Sequence, residues 1–188
     1  MSNNMVDSAH SRKVRVATCS LAGCFGCHMS FLDMDEAIIP LIDHIEFDRS
    51  PLTDIKTVSQ CDIGLVEGGL CNEENREVLH QFRQHCTYLV AVGACAINGG
   101  VPAMRNHFSL QECLEESYLH GVGVVDGQIP SDAELPALLP KVTPLQTEVK
   151  IDFFLPGCPP PAAAFMELIQ AVMENRTPQL DYTLRRFD

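Results

Sequence analysis

Residues 14–28 read VRVATCSLAGCFGCH: a β-branched run, Val14–Thr18, passes directly into a glycine-rich loop that carries Cys24 and Cys27. A short apolar run bounded by turn residues is the pattern of a strand buried on both faces. The same pattern returns at Ile45–Phe47, Ile63–Glu67, Tyr88–Gly93 and Ile151–Leu155. Between these runs, Asn72 to Cys86 opens with an Asn cap and two acids, Glu73 and Glu74. It places Leu79, Phe82 and Cys86 on one face, which predicts an amphipathic helix. Ala162, Phe165, Met166, Ile169, Val172 and Met173 keep the i, i+3, i+4 spacing of a last helix, with prolines before it and Asn-Arg-Thr-Pro after it. Strands alternating with helices predict an α/β fold, a flavodoxin-like parallel sheet flanked by helices. Residues 121 to 148, rich in Gly and Pro, read as irregular connection.

The chain has 188 residues, 46% of them apolar, enough for one well-packed core, and a single domain over residues 13–188 is expected behind a loose tail at 1–12. Twenty-five acids against 13 bases leave a net charge of −12, with no Lys/Arg run to neutralise phosphate backbones or anionic lipid. The N-terminus lacks the apolar stretch of a secretory signal. The longest apolar-rich run, Tyr88 to Ile97, reaches about half a membrane span, so a soluble cytoplasmic protein is expected. Nine cysteines is an odd number. In a reducing compartment that points to metal or catalytic thiols rather than disulfides.

Four of the nine share a setting. Cys24 and Cys27 in LAGCFGCH, Cys95 in VGACAINGG and Cys158 in LPGCPPP each follow a predicted strand in a Gly- or Pro-rich loop. In a parallel sheet the carboxyl ends of the strands share one edge, so these loops converge there however far apart they lie in sequence. Neighbouring glycines permit positive φ and close approach to a bulky inorganic group, and loop N–H groups favour its negative charge. Prolines 159 to 161 stiffen the last loop.

Four thiolates are the usual complement of a [4Fe–4S] centre. A CxxC alone also suits a thioredoxin-like redox pair, and four cysteines suit structural zinc, although zinc sites usually show two CxxC knuckles. The two distant single cysteines weaken both rivals. Cys19, Cys61, Cys71, Cys86 and Cys113 are assigned to packing, with Cys19 and Cys71 lying nearest the same edge.

Taken together, CxxCH after the first strand, VEGG-x-x-NEEN after the third, VGACAxxGG after the fourth and PGCPP before the last helix closely resemble the small subunit of nickel–iron hydrogenases. The resemblance spans most of the chain. It implies that Cys24, Cys27, Cys95 and Cys158 ligate one [4Fe–4S] cluster next to the nickel–iron site of a large partner subunit. The NEEN motif, and a chain with neither an export signal nor a C-terminal cluster extension, are similar to the soluble bidirectional NAD(P)-reducing hydrogenases. There the next electron carriers belong to diaphorase subunits holding FMN and iron–sulfur clusters. A flavodoxin-like crest could also take FMN, a cofactor ascribed to this subunit in some soluble hydrogenases.

The homologous cluster subunit of NADH:quinone oxidoreductase shares the PGCPP loop but has adjacent cysteines where this chain has Cys24-Phe25-Gly26-Cys27, and it is the second reading. Under either resemblance the chain relays single electrons and performs no catalysis alone. Glu67 and His28 are the titratable groups nearest the cluster in sequence. Glu67 is read either as a participant in coupled proton movement or as a carboxylate in a loop hydrogen bond; His28 is read as a donor to the cluster or as a helix start. Leu21, Phe25 and Met29 form an apolar collar that is either core or a docking face for the large subunit.

Overall fold

The computed structural model describes residues 12–187. The tail expected at 1–12 lies outside the described residues, save Arg12, whose guanidinium pairs with Asp62 at 2.6 Å. Five parallel strands form the main sheet: β1 (Val14–Ser20), β2 (Ile45–Phe47), β3 (Cys61–Glu67), β5 (Cys86–Val92) and β7 (Phe153–Leu155). Their order is β2-β1-β3-β5-β7. The chain starts in the interior of the sheet, winds out to β2, then returns past β1 to build the other side; helices supply the crossovers from β1 to β2, β3 to β5 and β5 to β7, while residues 48–60, between β2 and β3, cross without one.

Side chains alternate across this sheet, and the alternation divides the core. Val16, Ile63, Leu65, Val90 and Val92 face one layer, where they pack with Phe31 of α1 (Gly26–Leu32), Leu41 of α2 (Ile38–Ile42) and Phe165, Leu168 and Ile169 of α6 (Ala162–Met173). Ala17, Cys19, Val66, Leu89 and Ala91 face the other. They pack with Leu79 and Phe82 of α3 (Glu73–His85), Ala96 of α4 (Gly93–Asn98) and Leu145. Phe82 and Phe165 are fully buried on opposite faces, each contributing about 1.5–3 kcal/mol by leaving water.

The predicted helices form where the pattern placed them. Asn72 caps α3, its side chain accepting the N–H of Asn75 at 2.8 Å. Three differences stand out. Gly93, predicted as strand, opens α4. Residues 121–148 are not wholly irregular: Leu138–Thr143 forms β6, which pairs antiparallel with β4 (Leu70–Asn72) as a small ribbon beside the main sheet. And α5 (Leu110–Tyr118) is a helix that the reading of strands and helices did not include. It begins with a complete capping box, Ser109 and Glu112 each bonding the other's backbone N–H. Among the described residues no helix is long and apolar enough to cross a membrane.

Candidate metal centre

The three cysteine loops leave the carboxyl ends of β1, β5 and β7. Cys24 sits in the loop before α1, Cys27 in the first turn of α1, Cys95 on α4, and Cys158 just beyond β7. Cys24 and Cys158 are exposed; Cys27 and Cys95 are half-buried. Burial raises the Cys95 thiol, and the charges of Cys158, Cys24 and Glu67 push it the same way. Burial also raises the Cys27 thiol, with Glu67 next and then Cys95 and Cys24. Cys95 therefore lies within electrostatic reach of each of the other three thiols.

Hydrogen bonds tie the loops together. Ala94 N–H donates to Gly157 O at 2.8 Å, joining the Cys95 and Cys158 loops. Ser30 Oγ on α1 donates to Pro160 O at 2.6 Å, joining the CxxC helix to the same turn. Ala22 and Gly69 exchange N–H···O bonds at 2.8 and 3.1 Å, fastening the CxxC loop to the loop after β3.

Space at the site depends on a missing side chain. Gly93 has φ +80°, and a Cβ there would stand 2.5 Å from Cys27 Sγ, closer than real Cβ atoms approach anything. Only glycine keeps that sulfur where it is. Within the CxxC itself the expectation that glycine supplies positive φ fails. The left-handed residue is Phe25, at φ 66°. Its ring stacks on His28 with centroids 4.6 Å apart and an interplanar angle of 7°, contact that offsets the cost of the strained backbone.

Phe25 is the N-cap of α1 and makes no side-chain cap. The cap comes from β3. Strand alternation turns Glu67 to the same face as Leu65, toward α1, where Oε2 accepts the N–H of Cys27 at 2.9 Å and of His28 at 3.3 Å. A carboxylate at a helix N-terminus meets both the free N–H groups and the positive end of the dipole. Glu67 is only 3% exposed. Burial alone would raise its pKa, yet the polar groups of His28, Ser20 and Cys27 around it outweigh that, and the carboxyl is held below its ordinary value. His28 Nδ1 lies 3.0 Å from Oε1, but the angle is not that of a hydrogen bond, and Oε1 is a buried oxygen with no partner. The far ring nitrogen, Nε2, is 2.9 Å from Thr18 Oγ1.

The structure sets Glu67 against Cys27 and His28, and places Cys24, Cys95 and Cys158 in loops that follow strands of the same parallel sheet. Thr18 and Ser50, which complete the polar chain, were not singled out from sequence; a polar residue ending the buried run Val14–Thr18 was the available signal. Cys19 shares the Ala17 face and points away from α1, with burial pushing its thiol well up. Cys61 and Cys86, register partners on β3 and β5, are core residues whose thiols burial pushes up to about 12. Cys71 donates to Asn75 Oδ1 at 3.3 Å, and Cys113 to Arg105 O at 3.8 Å. Of the collar, Leu21 packs against the α3-side core, while Met29 is 53% exposed.

Among the described residues no three His, Cys, Asp or Glu side chains close together as ligands of one ion. The donor set itself, four thiols on glycine-spaced loops, fits a thiolate-held iron–sulfur cluster. The space Gly93 leaves at Cys27 Sγ and the dry carboxylate anchoring the loop are consistent with it.

Residues 24–172 match the family profile described as NADH ubiquinone oxidoreductase, 20 Kd subunit. The delta subunit of the NAD-reducing hydrogenase HoxS of Cupriavidus necator is 45% identical over 94% of this chain and 86% of its own length. A subunit of the F420-non-reducing hydrogenase of Methanothermobacter thermautotrophicus is 34% identical over 92% of this chain, which spans 58% of that relative. A chain in the crystal structure of an NAD+-reducing [NiFe]-hydrogenase in the H2-reduced state superposes with a TM-score of 0.92 at 48% identity, covering 94% of this chain and 100% of that one. The [NiFeSe] hydrogenase of Desulfomicrobium baculatum, 17% identical with a TM-score of 0.56 over 93% of this chain and 69% of its own, shares the fold.

Proposed function

Because the chain belongs to the family of the NADH ubiquinone oxidoreductase 20 kDa subunit, we propose that it is the electron-transferring small subunit of a cytoplasmic NAD-reducing nickel–iron hydrogenase. Its partners are a nickel–iron large subunit and diaphorase subunits. Cys24, Cys27, Cys95 and Cys158 hold one [4Fe–4S] cluster. The observation that carries this reading is the meeting of the three cysteine loops at one sheet edge, with Gly93 leaving room at Cys27 Sγ. The likeness to the NAD-reducing relatives favours it over a quinone-reducing complex.

When bound, the cluster supplies one-electron chemistry, accepting and releasing electrons singly between the partner sites. The chain's own residues perform the rest. The loop ties at Ala94–Gly157 and Ser30–Pro160 keep the ligand loops at fixed separation. Glu67, itself buried, anchors the first turn of α1 and with it Cys27, and the Phe25 ring stacks on His28. Hydrogen bonding, nearby charge and burial of this kind set the potential of such a centre.

The test is iron, sulfide and zinc analysis of the anaerobically purified chain with its co-purifying partners, in wild type and in Cys158→Ser. About four irons and four sulfides per chain, lowered in the variant, together with hydrogen-dependent reduction, support the proposal. Zinc alone, or a metal-free chain with a reversible Cys24–Cys27 disulfide, overturns it.

A further inference from the structure

Thr18 is a hydroxyl in the middle of the sheet, 2% exposed, on the face that carries Val16. Burying a hydroxyl is costly unless it is bonded, and this one has two partners: Ser50 Oγ at 2.8 Å and His28 Nε2 at 2.9 Å. One direction of the chain is consistent with its ends. Ser50 Oγ accepts the N–H of Leu52 at 3.2 Å and carries one proton of its own, which is free to bond Thr18 Oγ1. If Thr18 gives its proton to Nε2, the ring proton falls on Nδ1, which lies 3.0 Å from Glu67 Oε1. Ser50 is itself held. Its loop follows Asp48, whose carboxylate accepts the N–H groups of Arg49 and Ser59 at 2.7 and 2.9 Å and the hydroxyl of Ser59.

Thr18, Cys27, His28 and Glu67 line, with apolar Phe31, Leu65, Val92 and Phe165, a cavity of about 10 Å³. That is room for one water at most, so these polar groups have little but each other to answer them. An orienting partner on the far nitrogen of a histidine decides which nitrogen carries the proton and where the ring faces.

We propose that Thr18, backed by Ser50, is a positioning residue for the cluster site: its hydroxyl sets the tautomer and orientation of His28, which holds ring Nδ1 3.0 Å from Glu67 Oε1 and partly offsets the carboxylate charge beside Cys27. This rests on the cluster reading above. Without the hydroxyl, the ring is released, the carboxylate is less compensated, and the reduced, more negative state of the cluster is disfavoured.

The experiment uses the whole assembly, purified anaerobically, as wild type, Thr18→Val, Thr18→Ser and Ser50→Ala. Iron and sulfide content, redox titration, the electron paramagnetic resonance spectrum of the reduced cluster and thermal melting are measured on each. At full iron content, Thr18→Val is expected to have a lower midpoint potential, so that at the wild-type midpoint well under half of the cluster is reduced, with an altered spectrum. Thr18→Ser restores both, and Ser50→Ala shifts both in the same direction by less. A purely structural role would lower the melting temperature and leave potential and spectrum alone. That result in Thr18→Val, or failure of Thr18→Ser to restore them, overturns the inference. Should Thr18→Val not assemble, an unchanged potential and spectrum in Ser50→Ala overturns it instead. Wild type without iron and sulfide removes the cluster reading, and this inference with it; wild type with both but insensitive to Thr18 removes only the inference.

Discussion

The Glu67 carboxylate accepts the backbone N–H of Cys27 from forty residues away, at 2.9 Å, and so caps a helix whose own N-cap residue, Phe25, offers no side chain to do it. Replacing Glu67 with alanine strands two buried N–H groups, at about 1–3 kcal/mol each. Opening of the first turn of α1, read as deuterium uptake by the Cys27 and His28 amides in the assembly, is expected to rise at least tenfold in Glu67→Ala and much less in Glu67→Gln, which keeps an acceptor. Unchanged uptake in Glu67→Ala would mean that the cap carries no energy.

Gly93→Ala places a methyl group 2.5 Å from Cys27 Sγ and adds the strain of a left-handed alanine, about 1–2 kcal/mol. Iron and sulfide per chain should fall while helix content by circular dichroism stays near wild type. Full metal content would show that Cys27 can leave its position without consequence.

Phe25 sets two terms of similar size against each other. Its positive φ costs about 1–2 kcal/mol and its stack on His28 returns about 0.5–1.5 kcal/mol. Phe25→Gly loses both and should melt within a few degrees of wild type. Phe25→Ala keeps the strain, loses the stack and should melt lowest of the three. The reverse order of the two variants would refute the strain argument.

Asp152 joins β7 to its neighbours, accepting Arg83 at 2.6 Å and the N–H of Leu89 at 2.9 Å. Burial opposes its ionisation, but Arg83 and the Leu89 N–H prevail and its carboxyl is held below the ordinary 3.8. A depressed folded-state pKa gives stability that is complete above the unfolded value and is lost as pH falls through the folded one. Asp152→Ala is therefore expected to cost about 1–3 kcal/mol at neutral pH, with the gap to wild type closing below pH 3.8. A gap independent of pH in thermal melting from pH 7 down to pH 3 would exclude an ionised Asp152 as its source.

The strands of the main sheet were legible because each carries a short run of apolar residues bounded by turn residues, even with Arg15 inside β1 and Glu46 inside β2, and the four cysteines because each follows such a run. The β4–β6 ribbon left no such mark. Of β6 only Val142 is buried, and Pro140 sits within it, so neither alternation nor an apolar run announces a strand. Helix α5 did carry a readable signal, the Ser109-x-x-Glu112 box, among residues otherwise ordinary for a loop. The Glu67 cap and the Thr18–Ser50 pair lay beyond reach for another reason. They join residues 40 and 32 positions apart, and the partner of a buried hydroxyl is set by strand register, which the chain's local pattern does not state.

The tie between Ser30 and Pro160 spans 130 residues, and β7, the strand that delivers Cys158, is the edge strand of the sheet and only three residues long. On the ribosome, Cys24, Cys27 and Cys95 emerge well before the segment that completes their surroundings. Until β7 docks beside β5, three thiols stand at an unfinished rim, open to stray metal and oxidant. The edge that carries Cys24, Cys27 and Cys95 is thus completed only by the last strand of the chain to be made.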